Sequence, residues 1–301
     1  ERVCGICSHS HTLAYCLAVE KIAGMEVPKR GDYLRVITCE LERLHSHFLW
    51  LGLAAHIIGF DSLFMMCFEK REKIMDMLET LSGNRVNYAM NIIGGARRDI
   101  NDEIEKDLRE KLSILKEDFK AIFDIYANDK TVALRTKGVG VLTNEDAFIY
   151  GACGPHGRAS GMKDDVRKVD PYCSYDDFDF KAIVQAEGDV FSRAVVRLLE
   201  IEESIKIIEQ ALDNIPDTPI NLGMKMPKVP KGEYFSRIEA PRGEVSYYVV
   251  SNGGQTNGRV NIHVPTFKNA ATVPVMLKDN TIADAGLIVA SIDPCFSCLD
   301  R

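Results

Sequence analysis

ERVCGICSHSH at residues 1–11 and DPCFSCLDR at residues 293–301 decide what this chain has to fold into. Each stretch holds a Cys-x-x-Cys pair, Cys4 with Cys7 and Cys295 with Cys298. A tight turn lets residues i and i+3 converge, so each pair offers two sulfurs to one point. Four soft thiolates brought together suit zinc, an iron–sulfur cluster or another soft-metal centre. Between Cys7 and Cys295 lie 287 residues, so the fold must close its two ends on one site. Structural zinc ribbons keep their pairs much closer. On spacing alone, structural zinc still comes first, an iron–sulfur cluster second and a catalytic metal third.

The neighbours of the cysteines raise the third possibility. Gly5 lets the backbone approach a metal closely. Pro294 stiffens the turn before Cys295. Asp293 places a carboxylate beside the site and Arg301 a cation. His11 lies four residues beyond Cys7, and on a helix it faces back toward that sulfur. Taken alone, His11 is a core histidine with its hydrogen bonds satisfied. A buried redox metal needs polar surroundings of this kind, because outer donors tune its thiolates, and a zinc ribbon does not. The other cysteines, Cys16, Cys39, Cys67, Cys153 and Cys173, are scattered and read as small apolar residues. Met65, Met66, Met75, Met77 and Met90 read as core filler.

Composition sets the outer bounds. With 301 residues, 46% hydrophobic and 27% charged, the chain is an ordinary soluble globular protein, long enough for one large core or two smaller ones. A net charge of −7 argues against nucleic acid as a partner, which would want a basic face. Nine cysteines without a signal peptide point to a reducing compartment, where Cys-x-x-Cys is a metal or redox motif before it is a disulfide. The chain starts at Glu1, directly on the first motif, and is expected to lack its native N-terminal segment.

Periodicity predicts a mainly α fold with a small late β-sheet, as a single domain over 1–301. A helix is expected over 12–23, ending near Gly24. Gly31-Asp32 opens the next, with Leu34, Ile37, Leu41, Leu44 and Phe48 at helical spacing. Residues 48–68 are rich in Leu, Ile, Phe and Met, but His56 and Asp61 interrupt them and Arg43, Glu69, Lys70 and Arg71 flank them. A membrane span wants about 20 apolar residues with few charges. Two buried helices broken near Gly59-Phe60-Asp61 are expected instead, with Asp61 capping the second, which runs to about Leu81 before Ser82-Gly83 stops it. Residues 101–126 form an amphipathic helix and 178–212 another long one. Pro216, Pro219, Pro227 and Pro230 mark a loop. Residues 238–251 and 259–264 are β-rich, separated by a turn at Asn252-Gly253-Gly254. Short helices near 265–277 and 281–291 lead to the last motif. Arg242, in an Arg-Gly-Glu turn, is by itself a surface turn residue.

Together the two motifs resemble the signatures of the large subunit of nickel–iron hydrogenases. DYLRVITCELERLHSHFLWLG, EKREKIMDMLETLSGNR, IIGGARRDI and GPHGRASGMKDDVRK also resemble segments of the complex I 49 kDa-type subunit related to them, and EAPRGE with VPTF resembles both. The resemblance covers nearly the whole chain and points to the membrane-bound, energy-converting branch of the hydrogenases. The complex I subunit has lost the metal cysteines; this chain keeps all four. The resemblance therefore implies a nickel–iron centre with cyanide and carbon monoxide on iron. Cys4 and Cys295 would be terminal nickel ligands, and Cys7 and Cys298 would bridge the two metals. His11 matches the histidine that hydrogen-bonds a bridging sulfur. Arg242 matches the arginine held over the open side of the centre, Asp293 the aspartate that positions it, and Pro241 a residue lining the pocket of the diatomic ligands. In the implied chemistry dihydrogen is split unevenly and a terminal thiolate such as Cys295 takes the proton. Arg242 supplies fixed positive charge in a dry site, and it is not a free base, since arginine keeps its proton above about pH 12. The family's proton-relay glutamate lies upstream of the first motif.

This chain has no further iron–sulfur signature, so electrons must leave through another subunit. The resemblance implies an iron–sulfur small subunit, a ferredoxin-type carrier, ion-translocating membrane subunits, and a place on the cytoplasmic face of the membrane. Its precursor often carries a C-terminal extension removed after the second signature; an end at Arg301 fits a matured end and equally a sequence boundary. Arg97, Arg98 and Arg158 are either interface residues, as in the complex I relatives, or ordinary salt-bridge residues. Two rivals stand beside the hydrogenase: a non-catalytic complex I-like quinone-site or scaffold subunit, and a structural zinc protein.

Overall fold

A computed structural model describes residues 1–224 and 228–300. Pro227 and Arg301 lie outside the described residues. The chain is mostly helical with one small three-stranded sheet late in the sequence, as its periodicity predicts. In chain order the elements are α1 (Ser8–Ala23), α2 (Lys29–Ile57), α3 (Asp61–Ser82), a two-residue ladder β1 (Asn91–Ile92) and β2 (Gly95–Ala96), and α4 (Asp102–Asn128). The short helices α5 (Lys130–Thr136), α6 (Asn144–Ile149), α7 (Gly154–Arg158) and α8 (Val166–Val169) follow, then the long α9 (Val190–Asp213). Strands β3 (Val229–Ala240), β4 (Gly243–Gly254) and β5 (Asn257–His263) precede α10 (Pro265–Ala270), α11 (Val273–Leu277), α12 (Ala285–Ser291) and α13 (Phe296–Leu299).

Helix α2 is the axis of the molecule. Leu34, Ile37, Leu41, Leu44 and Phe48 are wholly buried, but so are Arg35, Glu40, Glu42, Arg43 and His47 from its other sides. It packs on α1, α3, α9 and α12. The link 58–60 turns the chain back, and Gly52 of α2 faces Phe68 of α3 while Arg71 donates to the His45 carbonyl. The apolar run 48–68 is thus two packed helices, and among the described residues no helix is long and apolar enough to cross a membrane.

Four expectations are corrected. α1 starts at Ser8, four residues early, because the first motif feeds straight into it. Asp61 is the first residue of α3, not its cap; its carboxylate meets His56 Nδ1 at 2.7 Å. The long helix predicted over 178–212 begins only at Val190. Upstream, backbone amides are drawn off by other segments: Gln185 N donates to Arg158 O and Gly188 N to Ala159 O, and Asp189 caps the helix through Ser192 N. Finally, the β-rich run 238–251 is two strands, not one. It doubles back at Pro241-Arg242, pairing Ala240 with Gly243 and Glu239 with Glu244, while Asn252-Gly253-Gly254 stays inside β4. Pro230 lies in β3, an edge strand, where a missing amide is tolerated.

The main core is built from α1 to α4, α9 and the sheet, and a smaller one joins Leu142, Ala147 and Ala152 to Met276, Ile288 and Ile292. A third apolar cluster consists of Cys4, Cys7, Val264, Cys295 and Cys298. There the two ends of the sequence meet. Met75, Met77 and Met90 are buried as expected, whereas Met65 is 63% exposed on α3 and is not core filler.

Candidate metal centre

The first Cys-x-x-Cys forms a turn that runs into α1, with Cys7 the residue before it; in the second, Cys295 precedes α13 and Cys298 lies inside that helix. The turn aims backbone amides at sulfur, with Ile6 N at 3.3 Å and Cys7 N at 3.5 Å from Cys4 Sγ. All four cysteines are buried and none is in a disulfide. Across the chain the first cysteines meet each other and so do the second ones. Cys4 Sγ stands 3.4 Å from Cys295 Sγ, and Cys7 Sγ 3.4 Å from Cys298 Sγ. The ligand atoms of Cys4, Cys7 and Cys298 lie within 4.8 Å of one another, and no other group of three His, Cys, Asp or Glu residues does so among the described residues. A disulfide holds its sulfurs at about 2.05 Å, so these pairs are not bonded to each other.

Four thiols crowded together cannot all ionise alike. Hydrogen bonds from Cys298, Cys4 and Cys7 hold Cys295 well below the usual thiol range, and the charge of Arg242 adds to this. Hydrogen bonding to Cys295 keeps the proton on Cys298, whose pKa is pushed up. A buried set of four sulfurs with amide donors and a fixed cation beside it is matched to a soft cation, which would let all four act as thiolates.

His11 sits one turn into α1. Its Nε2 lies 3.4 Å from Cys298 Sγ and its Nδ1 2.8 Å from the Tyr247 hydroxyl. The helical argument aimed it at Cys7; its amide does donate to the Cys7 carbonyl at 3.2 Å, and its ring reaches Cys298 of the other motif. A Cβ on Gly5 would meet Val86 Cγ1 at 3.5 Å, an ordinary contact, so no neighbouring residue of the chain demands glycine there.

Arg242 is not a surface residue. It occupies the β3–β4 turn next to buried Pro241, and that turn rests on α7, where Gly154 and Gly243 lie back to back. Arg242 Nε donates to the Asp293 carbonyl at 3.0 Å, Nη2 pairs with Asp293 Oδ1 at 2.8 Å, and Nη1 reaches Ser46 Oγ at 3.3 Å. Burial works against its charge, but Asp293 and the cysteine sulfurs more than offset this, and its pKa rises. Asp293 adopts φ 57, in the left-handed region that aspartate tolerates better than most residues. Cys295 N donates to Thr266 Oγ1 at 3.1 Å, which pins the second motif to α10.

Sequence reasoning missed Glu42, Ser46, Tyr247 and Thr266. Glu42 holds the first turn of α1, accepting from His9 N at 2.7 Å, Ser10 N at 3.0 Å and the Ser10 hydroxyl. Burial pushes its pKa up to about 8. Glu42 and Ser46 lie within the DYLRVITCELERLHSHFLWLG stretch already singled out and Thr266 within VPTF; Tyr247 carried no signal. Arg158 is a buried ion-pair residue, bonded to Glu200 and Glu239 at 2.7 Å each. Arg97 donates to the Ser82 and Tyr88 carbonyls, and Arg98 packs over Gly83.

Comparison with known proteins places the chain among two kinds of relatives. The family described as respiratory-chain NADH dehydrogenase, 49 kDa subunit, matches residues 58–226 and 220–301. A carbon monoxide-induced hydrogenase of Rhodospirillum rubrum is 43% identical over 312 residues, covering 100% of this chain and 83% of the relative. A membrane-bound hydrogenase subunit alpha of Pyrococcus furiosus is 41% identical over 316 residues, covering 100% of this chain and 74% of the relative. An NADH-quinone oxidoreductase subunit of Clostridium beijerinckii is 40% identical over 290 residues, covering 96% of this chain and 78% of the relative.

Proposed function

The chain belongs to the respiratory-chain NADH dehydrogenase 49 kDa subunit family, and from that premise we propose that it is the catalytic subunit of an energy-converting nickel–iron hydrogenase. In this reading it is one catalytic domain that interconverts dihydrogen with protons and electrons. The observation that carries it is the pairing of the sulfurs: first cysteine against first, second against second, at 3.4 Å each. Cys7 and Cys298 also lie within 4.8 Å of Cys4, so sulfurs from both motifs stand close enough to serve a pair of metals with terminal and shared ligands. A closed tetrahedral zinc site with bonds of about 2.3 Å would hold its sulfurs about 3.8 Å apart and would have no use for the polar wall beside it.

Cys4 and Cys295 would hold nickel, and Cys7 and Cys298 would be shared with an iron carrying cyanide and carbon monoxide. When bound, the centre supplies an open position for uneven splitting of dihydrogen. The residues of this chain do the rest. Cys295 offers the sulfur that takes the proton. Arg242, fixed by Asp293 and Ser46, keeps a full positive charge over the site, where a low dielectric makes it worth more than in water. His11 orients Cys298 and is itself held by Tyr247. Electrons leave through an iron–sulfur small subunit toward a ferredoxin-type carrier, and membrane subunits move ions; the relative named as a membrane-bound hydrogenase subunit supports a membrane complex.

The relatives named as NADH-quinone oxidoreductase subunits favour a second reading, a non-catalytic scaffold or quinone-site subunit. Metal analysis with an infrared spectrum of the natively purified complex separates the two. Nickel, iron and bands from iron-bound cyanide and carbonyl are expected. A blank spectrum with neither metal establishes the scaffold reading, and one zinc per chain a structural site.

A further inference from the structure

Most buried arginines of this protein face a carboxylate. Arg35 meets Glu20, Arg43 meets Glu40, Arg158 meets Glu200 and Glu239, and Arg167 meets Asp165 and Glu40. Arg193 and Arg197 of α9 do not. Both are buried, and among the described residues neither has a carboxylate within ion-pair distance. Arg193 donates to Ser291 Oγ at 2.8 Å and to the carbonyls of Gly140 and Gly188 at 2.8 and 2.7 Å. Arg197 donates to the carbonyls of Arg193 at 2.9 Å and Ser291 at 3.3 Å. Its guanidinium carbon lies 4.0 Å from the centre of the Trp50 ring. A buried guanidinium without a paired anion is expensive, and neutral donors could serve the same carbonyls.

What these arginines hold explains their charge. Ser291 is the last residue of α12, and the chain from it runs through Asp293 into Cys295. Trp50, which carries Arg197, also donates to the Ala290 carbonyl at 2.8 Å. Asp293 gives Oδ1 to Arg242, while its Oδ2 is buried without a hydrogen-bond partner. Burial pushes the pKa of Arg197 down to about 10, and the largest effect opposing it is the charge of Asp293.

We infer that Arg197, stacked on Trp50, is a positioning residue for the metal centre: a second cation that fixes segment 291–293 and balances Asp293, so that Asp293 can hold Arg242 over the cysteines. The inference rests on the hydrogenase reading. Arg197 touches neither the cysteines nor any substrate; it acts through Asp293.

The test uses the whole complex, natively purified, with Arg197→Lys, which keeps the charge but loses the planar stack and the fork to two carbonyls. Nickel and iron content, infrared band positions, and kcat and KM for dihydrogen are measured. Metal content near wild type, displaced cyanide and carbonyl bands, and a kcat lowered roughly tenfold with KM unchanged are expected. The same substitution placed on Asp293→Asn should have a markedly smaller effect, because the two act through one carboxylate. Wild-type bands and turnover in metal-loaded Arg197→Lys, or full additivity with Asp293→Asn, overturn the inference. Should Arg197→Lys emerge without metal, Trp50→Phe decides: displaced bands support the inference and unmoved bands overturn it. A wild-type complex with no nickel and no such bands sinks the hydrogenase reading itself.

Discussion

At the scale of single residues, the protein buries titratable side chains where water cannot reach them. His47 of α2 is wholly buried and meets Glu200 at 2.8 Å. Burial lowers its pKa to about 4, with the hydrogen bond to Glu200 opposing. An unfolded histidine titrates near 6.5. Between these values the unfolded chain binds more protons than the native one. The stabilisation is therefore present above about pH 6.5 and is lost as pH falls toward 4, a change on the order of 3 kcal/mol from this residue. Glu200, held below the carboxylate range by Arg158 against the cost of burial, adds a loss of the same sign at lower pH. The chemical-denaturation midpoint of the purified protein should fall steadily between pH 7 and pH 5 (roughly the upper part of that window). Burial lowers His9, His45 and His156 as well, with the same sign, while Glu42, raised to about 8, and Asp32, raised to about 6, oppose them. His47→Gln should make the profile shallower by its own share, and an unchanged slope would contradict the assignment. None of this was legible in the sequence, where His47 is one of three histidines in α2 and Glu200 lies far downstream.

At the scale of elements, the site depends on a contact between two turns. Gly154 at the start of α7 has φ 65, and a Cβ there would come 2.4 Å from Gly243 Cα and 2.5 Å from the Arg242 carbonyl. Arg242 is placed by that turn, not by its own helix or strand. Gly154→Ala should cost at least about 1–2 kcal/mol for the left-handed backbone, and it should displace Arg242 as the β3–β4 turn gives way. Turnover should drop with nickel content retained; unaltered turnover in a metal-loaded variant would mean that the turn has slack. The element itself was half legible. The β propensity of residues 238–251 was plain, but the doubling back at Pro241-Arg242 was hidden, because residues on either side of a two-residue turn look like one continuous strand. The long helix over 178–212 failed for a related reason. Its apolar period continues upstream of Asp189, yet the amides there find tertiary acceptors in the segment around Arg158 and Ala159.

At the scale of the whole molecule, the ends of the chain are joined through a small cluster, Cys4, Cys7, Val264, Cys295 and Cys298, while α1 to α4, α9 and the sheet share a much larger core. Removing the metal should leave that core folded and release the ends. In hydrogen exchange, residues 1–11 and 293–300 should lose protection on metal removal while α2 and α9 keep theirs, since a ligand that binds only the closed form stabilises only what it closes. Uniform loss of protection would show that the centre nucleates the entire fold, and no change would show that the ends close without it.

The sequence by itself determined that four cysteines from the two ends must meet, that the chain between them is mainly helical with a late sheet, and that the apolar run 48–68 is two helices and not one span. Those properties follow from residue type and local spacing. Only the tertiary structure decided that the His11 ring reaches Cys298, that Arg242 is held by Asp293 and Ser46, and that Glu42, Tyr247 and Thr266 brace the site. It alone shows two arginines buried behind Ser291 with no carboxylate within ion-pair distance among the described residues. The physical reason is separation along the chain. Partners dozens to hundreds of residues apart leave no periodic mark in sequence, and the packing of α2 against α1, α9 and α12 brings them together.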